Sequence, residues 1–186
     1  MSKVIKGQYG YMDSQRKKVI IRTIVMFGIS LALFGIGILS TGTKKNLLSV
    51  VAVLGCLPAS KSAVNMIMFL RAKGCSPHVK EQVEKHGKSL TQLFDLLFTS
   101  YDKNYRVSHM VIKGNVVCGY TEDAACECIA CEKQLGELLK QGGCKRVTVK
   151  IYHDLENYCE GLENLEKQEA EEASEDILMN LLSISL

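Results

Sequence analysis

The stretch TIVMFGISLALFGIGILSTGT, residues 23–43, decides the fold of this 186-residue chain. It contains 21 residues and no charged side chain. As a helix rising ~1.5 Å per residue it reaches about 31 Å, enough to cross a hydrocarbon core of ~30 Å. A second apolar run, residues 46–70, carries a single charge, Lys61. The two runs predict a transmembrane helical hairpin over residues 19–71, with helices at about 20–40 and 46–70.

A signal peptide and a soluble core hairpin both fit the first run less well. A cleaved signal peptide has an apolar core of roughly 7–15 residues and ends at a small-residue site, whereas this run is longer and no A-x-A site follows it. A buried hairpin of a soluble protein needs a large domain around it, because the run is apolar on every side. The sequence therefore favours membrane insertion.

Charge divides the chain into two halves. Residues 1–90 hold 14 Lys and Arg against 3 Asp and Glu, and residues 91–186 hold 9 against 17. Most of the basic excess flanks the hairpin, with five Lys and Arg in the basic N-terminus, residues 1–18, whereas its link holds only Lys44 and Lys45. The positive-inside rule therefore predicts a multi-pass protein with both termini in the cytoplasm. The eight cysteines fit that reducing compartment, where disulfides are rare.

Small residues recur along both predicted helices. Such residues let helices approach closely and associate by packing within lipid. The two stripes either pack on each other or join separate copies of the chain in a homo-oligomer. Their members are Gly28, Ala32 and Gly35 in the first helix and Gly55, Ala59 and Ala63 in the second.

Lys61 is the one charge inside the second apolar run. It lies nine positions before Leu70, or about 14 Å inside the membrane boundary, where a charged group costs ~2.5–3.5 kcal/mol. Asn65 lies one turn further along the same face. One hypothesis is an intramembrane polar site that lines a cavity or a subunit interface. The other is a helix bent at Pro58, with a lysine that snorkels to the headgroups.

The remaining chain predicts a small cytoplasmic α+β domain over residues 72–168, with the element order α-β-β-α-β-α. Apolar residues at helical spacing predict a first helix from an N-cap at Ser76 to about Ser100. A Gly114-Asn115 turn then joins two β-rich runs, residues 105–113 and 116–121. These runs are expected to form a hairpin.

Helix-capping residues and one run of alternating apolar and polar residues predict the elements in the second half of this domain. Thr121 is expected to cap a helix that ends at Gly142-Gly143. Residues 146–152 predict a half-buried strand that runs parallel to the preceding one, and Asp154 caps the next helix. The result is a three-stranded mixed sheet. Residues 169–186 form an acidic and then apolar tail, which docks on the domain, the membrane or a partner.

The run Cys126-Glu127-Cys128-Ile129-Ala130-Cys131 is similar to a metal or redox motif, because C-x-x-C brings two thiolates within reach of one ion. Helical phase instead predicts that Cys128 and Cys131 lie in a buried stripe as small hydrophobic residues. Two further hypotheses stand beside that one: a structural metal with Cys118 and Cys144 as extra ligands, and a reactive Cys126 whose pKa the helix N-terminus lowers. Taken as a whole, the pattern predicts no cofactor and no metal.

His109, His153 and Asp154 are polar residues on the predicted sheet or at its ends. A His-Asp pair at a strand end can orient a general base, but no nucleophile elbow, phosphate loop or carboxylate pair accompanies it. The α-β-β-α-β order also resembles part of the restriction-endonuclease-like core. That resemblance implies nuclease chemistry, yet the E-x-K pair is missing, because the third strand reads Thr148-Val149-Lys150.

Charged segments indicate the partners. The basic residues after the hairpin, among them Arg71, Lys73 and Lys80, predict attraction to anionic lipid, and the acidic last helix can associate with the same stretch. The basic character is not continuous through the chain, so nucleic-acid binding is not expected. The expected partners are the lipid bilayer and either a second copy of the chain or another protein.

The segment Thr41-Gly42-Thr43-Lys44-Lys45-Asn46-Leu47-Leu48, followed by Leu57-Pro58-Ala59-Ser60-Lys61, resembles an uncharacterised group of small bacterial two-helix membrane proteins. The resemblance covers the hairpin region. It implies a bacterial inner-membrane setting and carries no activity.

Three hypotheses for function follow. The leading one is a non-enzymatic membrane protein whose cytoplasmic α+β domain binds a partner or ligand and oligomerises. The first alternative is a transport or pore component in which Lys61 lines the path. The second is a membrane-tethered enzyme with thiol or nuclease chemistry, using Cys126 or the region of His153.

Overall fold

A computed structural model of the chain describes residues 4–42, 47–100, 103–144, 146–167 and 175–186. The chain forms two compact units. One unit is Met12–Lys73, and the other combines Met1–Tyr11 with Gly74–Leu186. The second unit is therefore assembled from segments on both sides of the first.

Two long helices make up the first unit. Helix α1 is Tyr11–Thr41 and helix α2 is Leu47–Arg71. Both helices are long and apolar enough to cross a membrane. In the most apolar segment of each helix, only 11% of α1 and 22% of α2 is buried. A core helix of a soluble protein is mostly buried, so this exposed apolar surface fits contact with lipid. Helix α2 continues through Pro58 without a break.

The predicted helix from Ser76 to about Ser100 is wrong in its second half. Helix α3 is Pro77–His86, and the Ser76 hydroxyl caps it by accepting from the Val79 amide at 3.3 Å. The chain then turns into strand β1, Thr91–Thr99. The domain consequently has four strands within the described residues, and the prediction of three is wrong.

The other strands occupy the predicted positions. Strand β2 is Asn104–Lys113, strand β3 is Val116–Tyr120 and strand β4 is Thr148–Tyr152. The sheet order is β1-β2-β3-β4, with antiparallel pairing except between β3 and β4, which are parallel. The mixed sheet and its final parallel pair are therefore confirmed.

Helices cover both faces of the sheet. Helix α4, Cys128–Gln141, and helix α6, Glu175–Ile184, bury Leu135, Leu139 and Leu181 in one hydrophobic core. Helix α3 and helix α5, Leu155–Lys167, contribute to a second core that includes Val83 and Leu162. Because the sheet has a core on both sides, apolar residues along its strands do not simply alternate with polar ones.

A break in strand alternation explains the missed strand. Leu93 and Leu96 both belong to the α4-side core, although alternation places residues three apart on opposite faces. Asp95, which directly precedes Leu96, has φ +57° and falls between the paired residues Phe94 and Leu96 of the β1–β2 register. The resulting spacing of apolar residues imitates a helix.

The outer edge of β1 is covered by both ends of the chain. The Phe94 amide donates to the Gly7 carbonyl at 2.7 Å, and the Leu186 amide donates to the Leu97 carbonyl at 2.8 Å. These bonds occupy edge groups that are otherwise open to pairing with another strand. Part of the predicted basic N-terminus and the end of the predicted tail thus fold onto the domain, while residues 168–174 lie outside the described residues.

Candidate functional site

The carboxyl ends of β3 and β4 meet at one edge of the sheet. The Thr121 amide donates to the Tyr152 carbonyl at 3.0 Å and extends this parallel pair by one bond. Ligand sites in sheets with parallel strands lie preferentially beyond such carboxyl ends. The loop of residues 121–127, between β3 and α4, covers this edge.

Thr121 does not cap α4, and that prediction is wrong. Helix α4 begins only at Cys128, and its N-cap residue Glu127 makes no side-chain capping bond. The Thr121 hydroxyl donates to the Arg106 carbonyl at 2.7 Å and accepts from the Asp123 amide at 3.1 Å. The residues after Thr121 therefore turn back over the sheet edge and carry Cys126 inward.

Cys126 and Cys131 both lie near this edge of the sheet. Both are buried in the core that lies between the sheet and helix α4. The neighbouring Cys131 thiol and the charge of His153 lower the pKa of Cys126. The neighbouring Cys126, together with burial, raises the pKa of Cys131. His153 Nε2 donates to the Cys126 carbonyl at 2.6 Å.

The other candidate cysteines are not part of this pair. Cys128 is half-buried at the start of α4, and burial is the main cause that raises its pKa. Cys118 lies in the α5-side core, where burial raises its pKa to about 11. Cys144 is half-buried beyond the end of α4. Within the described ranges, no group of three or more His, Cys, Asp or Glu side chains is arranged to hold a metal ion.

A second polar cluster holds the segment that follows α2. The Asp95 carboxylate, only 3% exposed, accepts from the Cys75 amide at 2.7 Å. Glu122 accepts from the Ser76 amide at 3.1 Å. Sequence reasoning missed this cluster. Its signal is Asp95 itself, the single charge inside the apolar run of residues 93–98.

His109 and Asp154 both have structural roles, one in the core and the other at a helix end. His109 is fully buried, with Nδ1 2.8 Å from the Tyr158 hydroxyl and Nε2 3.3 Å from Gln92 Oε1. Burial lowers the pKa of His109 to about 3. Asp154 accepts from the Asn157 amide at 2.9 Å and so caps α5, and its partner in the predicted polar pair, His153, is bound to Cys126 instead.

The buried His109 should make the domain sensitive to acid. Its pKa is 6.5 when unfolded and about 3 when folded, so the unfolded state binds the proton first. Stability is full above pH 6.5 and falls as the pH drops towards 3. Between pH 6.5 and 5, the wild type should lose about 1–2 kcal/mol more of its free energy of unfolding than His109→Gln, measured by urea unfolding at each pH. The matched control, His78→Gln, changes an exposed histidine and should follow the wild type. Equal pH slopes for all three proteins would contradict the prediction.

The predicted stripe of small residues is partly buried on α2 but largely exposed on α1. On α2, Ala59 is fully buried and Gly55 lies against Ser30. On α1, Gly28 and Ala32 are exposed, while Gly35 has open space where a Cβ would lie. The α1 contact with α2 uses other small polar residues, including a 2.9 Å hydrogen bond between the Thr23 and Ser62 hydroxyls. Ala63 is half-buried beside this face.

Lys61 and Asn65 both lie on the exposed side of α2. Among the basic residues assigned to lipid, Arg71 and Lys73 are exposed, whereas the Lys80 ammonium lies 4.5 Å from the centre of the Tyr9 ring. Lys80 is therefore partly engaged within its own domain.

Clefts open on the described surface of the α+β domain, and two of them are similar in size. One of about 390 Å³ is lined by Gly142, Cys144, Arg146, Met179 and Asn180, among others, at the end of α4 and along α6. The other, of about 370 Å³, lies between α3 and α5 beside His78, His86 and Cys159. Both fall in the size range of small-ligand sites.

No family model, no curated protein and no solved structure matches this chain. Its fold defines it as an α+β protein with two helices long and apolar enough to cross a membrane. The resemblance to small bacterial two-helix membrane proteins stays a prediction.

Proposed function

We propose that this chain is a non-enzymatic protein of the bacterial inner membrane, in which the α1–α2 hairpin anchors a cytoplasmic α+β domain that binds a partner or ligand. One observation carries the proposal. The domain is assembled from chain segments on both sides of the hairpin. A hairpin whose two ends enter one folded domain is an anchor with both flanks on the same side of the membrane.

Specific bonds attach each flank to the domain. Before the hairpin, the Gly7 carbonyl accepts from Phe94 on β1. After the hairpin, Asp95 and Glu122 accept from the amides of Cys75 and Ser76. The surplus of Lys and Arg on both flanks then predicts that the shared side is the cytoplasm.

The domain surface supports binding. Met179 is 67% exposed and lines the larger cleft, next to polar groups of Arg146 and Asn180. Pockets that combine apolar walls with a few polar groups are typical of binding sites. We propose this cleft as the binding surface, with a second copy of the chain or another protein as its partner.

Topology and assembly test the anchor. Epitope tags at the two termini should both be cut by protease added to inverted membrane vesicles, and neither should be cut in intact spheroplasts. Chemical cross-linking in membranes should yield a discrete species that Met179→Asp reduces, because a buried charge disrupts an apolar contact. Ile129→Asp, at an exposed apolar position away from the cleft, is the control. Tags on opposite sides would overturn the hairpin anchor, and cross-linking insensitive to Met179→Asp would overturn the assigned surface.

A pore or transport component is the second candidate, favoured by the outward position of Lys61 and Asn65 on α2. For an anchor, Lys61→Leu should preserve insertion and even favour it by ~2.5–3.5 kcal/mol, because it removes a charge from the bilayer. Ion flux through reconstituted liposomes should equal that of the wild type and of Lys61→Arg. A loss of flux in Lys61→Leu but not in Lys61→Arg would replace the anchor with the pore.

A further inference from the structure

We propose that the Cys126 and Cys131 thiols form a site of reversible oxidation, which a hydroperoxide converts into a disulfide within the domain. This inference is independent of the anchor function. It concerns the edge of the sheet beyond β3 and β4, where the loop of residues 121–127 meets the start of α4.

The geometry places the two cysteines in the same core. Cys126 comes from the loop after β3 and Cys131 from the first turn of α4, and each thiol shifts the pKa of the other. The Cys131 amide donates to the Glu127 carbonyl at 2.9 Å, so the helix fixes one partner. A disulfide requires that the two sulfur atoms close to a bond of ~2.05 Å.

Each neighbouring element presents a group to Cys126. The neighbouring Cys131 thiol of α4 and the positive charge of His153 after β4 together favour the thiolate. Asp123 of its own loop acts in the opposite direction. Cys128 of α4 also faces Cys126. Low-pKa thiols beside a second cysteine are the usual sites of reversible oxidation.

The chemistry balances in two steps. The Cys126 thiolate attacks one oxygen of the peroxide, so that an S–O bond forms, the O–O bond breaks and the alkoxide or hydroxide leaves and takes up a proton. The Cys131 sulfur then attacks the sulfenic sulfur, so that an S–S bond forms, the S–O bond breaks and water leaves with the Cys131 proton. The two sulfurs lose two electrons and the peroxide gains them. A dithiol reductant reverses the change by thiol–disulfide exchange.

Burial selects the oxidant. Cys126 is 7% exposed, so a small hydroperoxide reaches the sulfur more readily than a bulky disulfide does. With a pKa of about 7 in place of 9.0, Cys126 is roughly 50-fold richer in thiolate at pH 7. Its lower basicity reduces nucleophilicity by about tenfold. We expect a net advantage of about fivefold over an ordinary thiol of equal access.

Hydrogen peroxide and the full-length protein in detergent provide the test. Digestion after Glu127 separates the two cysteines, so mass spectrometry should detect their peptides joined by a disulfide at pH 7, with Cys126 oxidised about fivefold faster than Cys144. The oxidation rate should rise with a midpoint near pH 7. Cys128→Ser, at a half-buried position, should still form the bond. Cys131→Ser should leave a sulfenic acid at Cys126 that dimedone traps.

Three results would overturn the site. One is loss of the linked peptides in Cys128→Ser when its near-UV circular dichroism matches the wild type. The second is oxidation of Cys126 no faster than that of Cys144. The third is a rate midpoint near the ordinary thiol value of 9.0. None of them bears on vesicle topology or on cross-linking at Met179, so failure of this site is distinguishable from failure of the anchor.

Discussion

Replacing Leu96 with alanine should lower the free energy of unfolding of the α+β domain by about 2–5 kcal/mol. Leu96 is 1% exposed and lies on β1 in the same core as Leu135 and Leu181. Its loss removes transfer free energy and leaves a cavity between the sheet and helices α4 and α6. Urea unfolding of the full chain in detergent, followed by tyrosine near-UV circular dichroism, measures the change.

This substitution distinguishes strand β1 from the helix that the sequence predicts for the same residues. On that helix the apolar stripe runs through Leu90, Leu93 and Leu97, and Leu96 falls outside it. An exposed leucine changed to alanine alters stability by about 0.5 kcal/mol at most. Ile129→Ala, at a position 83% exposed, is the matched control and should show this small effect. A Leu96→Ala loss as small as that of the control would refute strand β1.

Asp95→Ala should have the second large effect, a loss of about 2–5 kcal/mol in the free energy of unfolding. Two penalties add: the buried Cys75 amide loses its acceptor, at ~1–3 kcal/mol, and alanine must adopt φ +57°, at ~1–2 kcal/mol. The same unfolding experiment measures it. Glu81→Ala, which removes an exposed carboxylate paired with Lys85, is the control and should change little.

Two further substitutions separate the penalties at position 95. Asp95→Asn keeps an oxygen acceptor and tolerates positive φ, so its loss should be the smallest of the series. Asp95→Gly removes the backbone strain but not the missing acceptor, and should lie between Asn and Ala. If Asp95→Gly were as stable as the wild type, the carboxylate would contribute nothing to holding the segment after α2.

Short-range signals in the sequence predicted much of the domain. The Ser76 and Asp154 caps, the Gly114-Asn115 turn and the end of α4 at Gly142 are all confirmed, because each depends on atoms a few residues apart. Strand β1 was not predicted. Its apolar residues face two cores, and the phase change at Asp95 gives them the spacing of a helix.

The candidate site was predicted only in part. The C-x-C-x-x-C run drew attention to Cys126, but a helix assumed to start at Thr121 left Cys126 outside the buried stripe. The later start of α4 turns residues 121–127 into a loop that brings Cys126 to His153. Sequence order cannot show this contact, because His153 follows another strand and reaches the loop only through β3–β4 pairing.

The sequence by itself determined the two long apolar helices, because the length of an apolar run and the scarcity of charge within it are local properties that no later packing changes. It also determined several of the caps and turns that bound the shorter elements. Only the tertiary structure decided that residues 91–99 are a strand, since burial on two faces removes the alternation by which a strand is recognised. The tertiary structure likewise decided that His153 meets Cys126 and which carboxylates hold the segment after α2, because those contacts depend on loops and strands that only the folded sheet brings together.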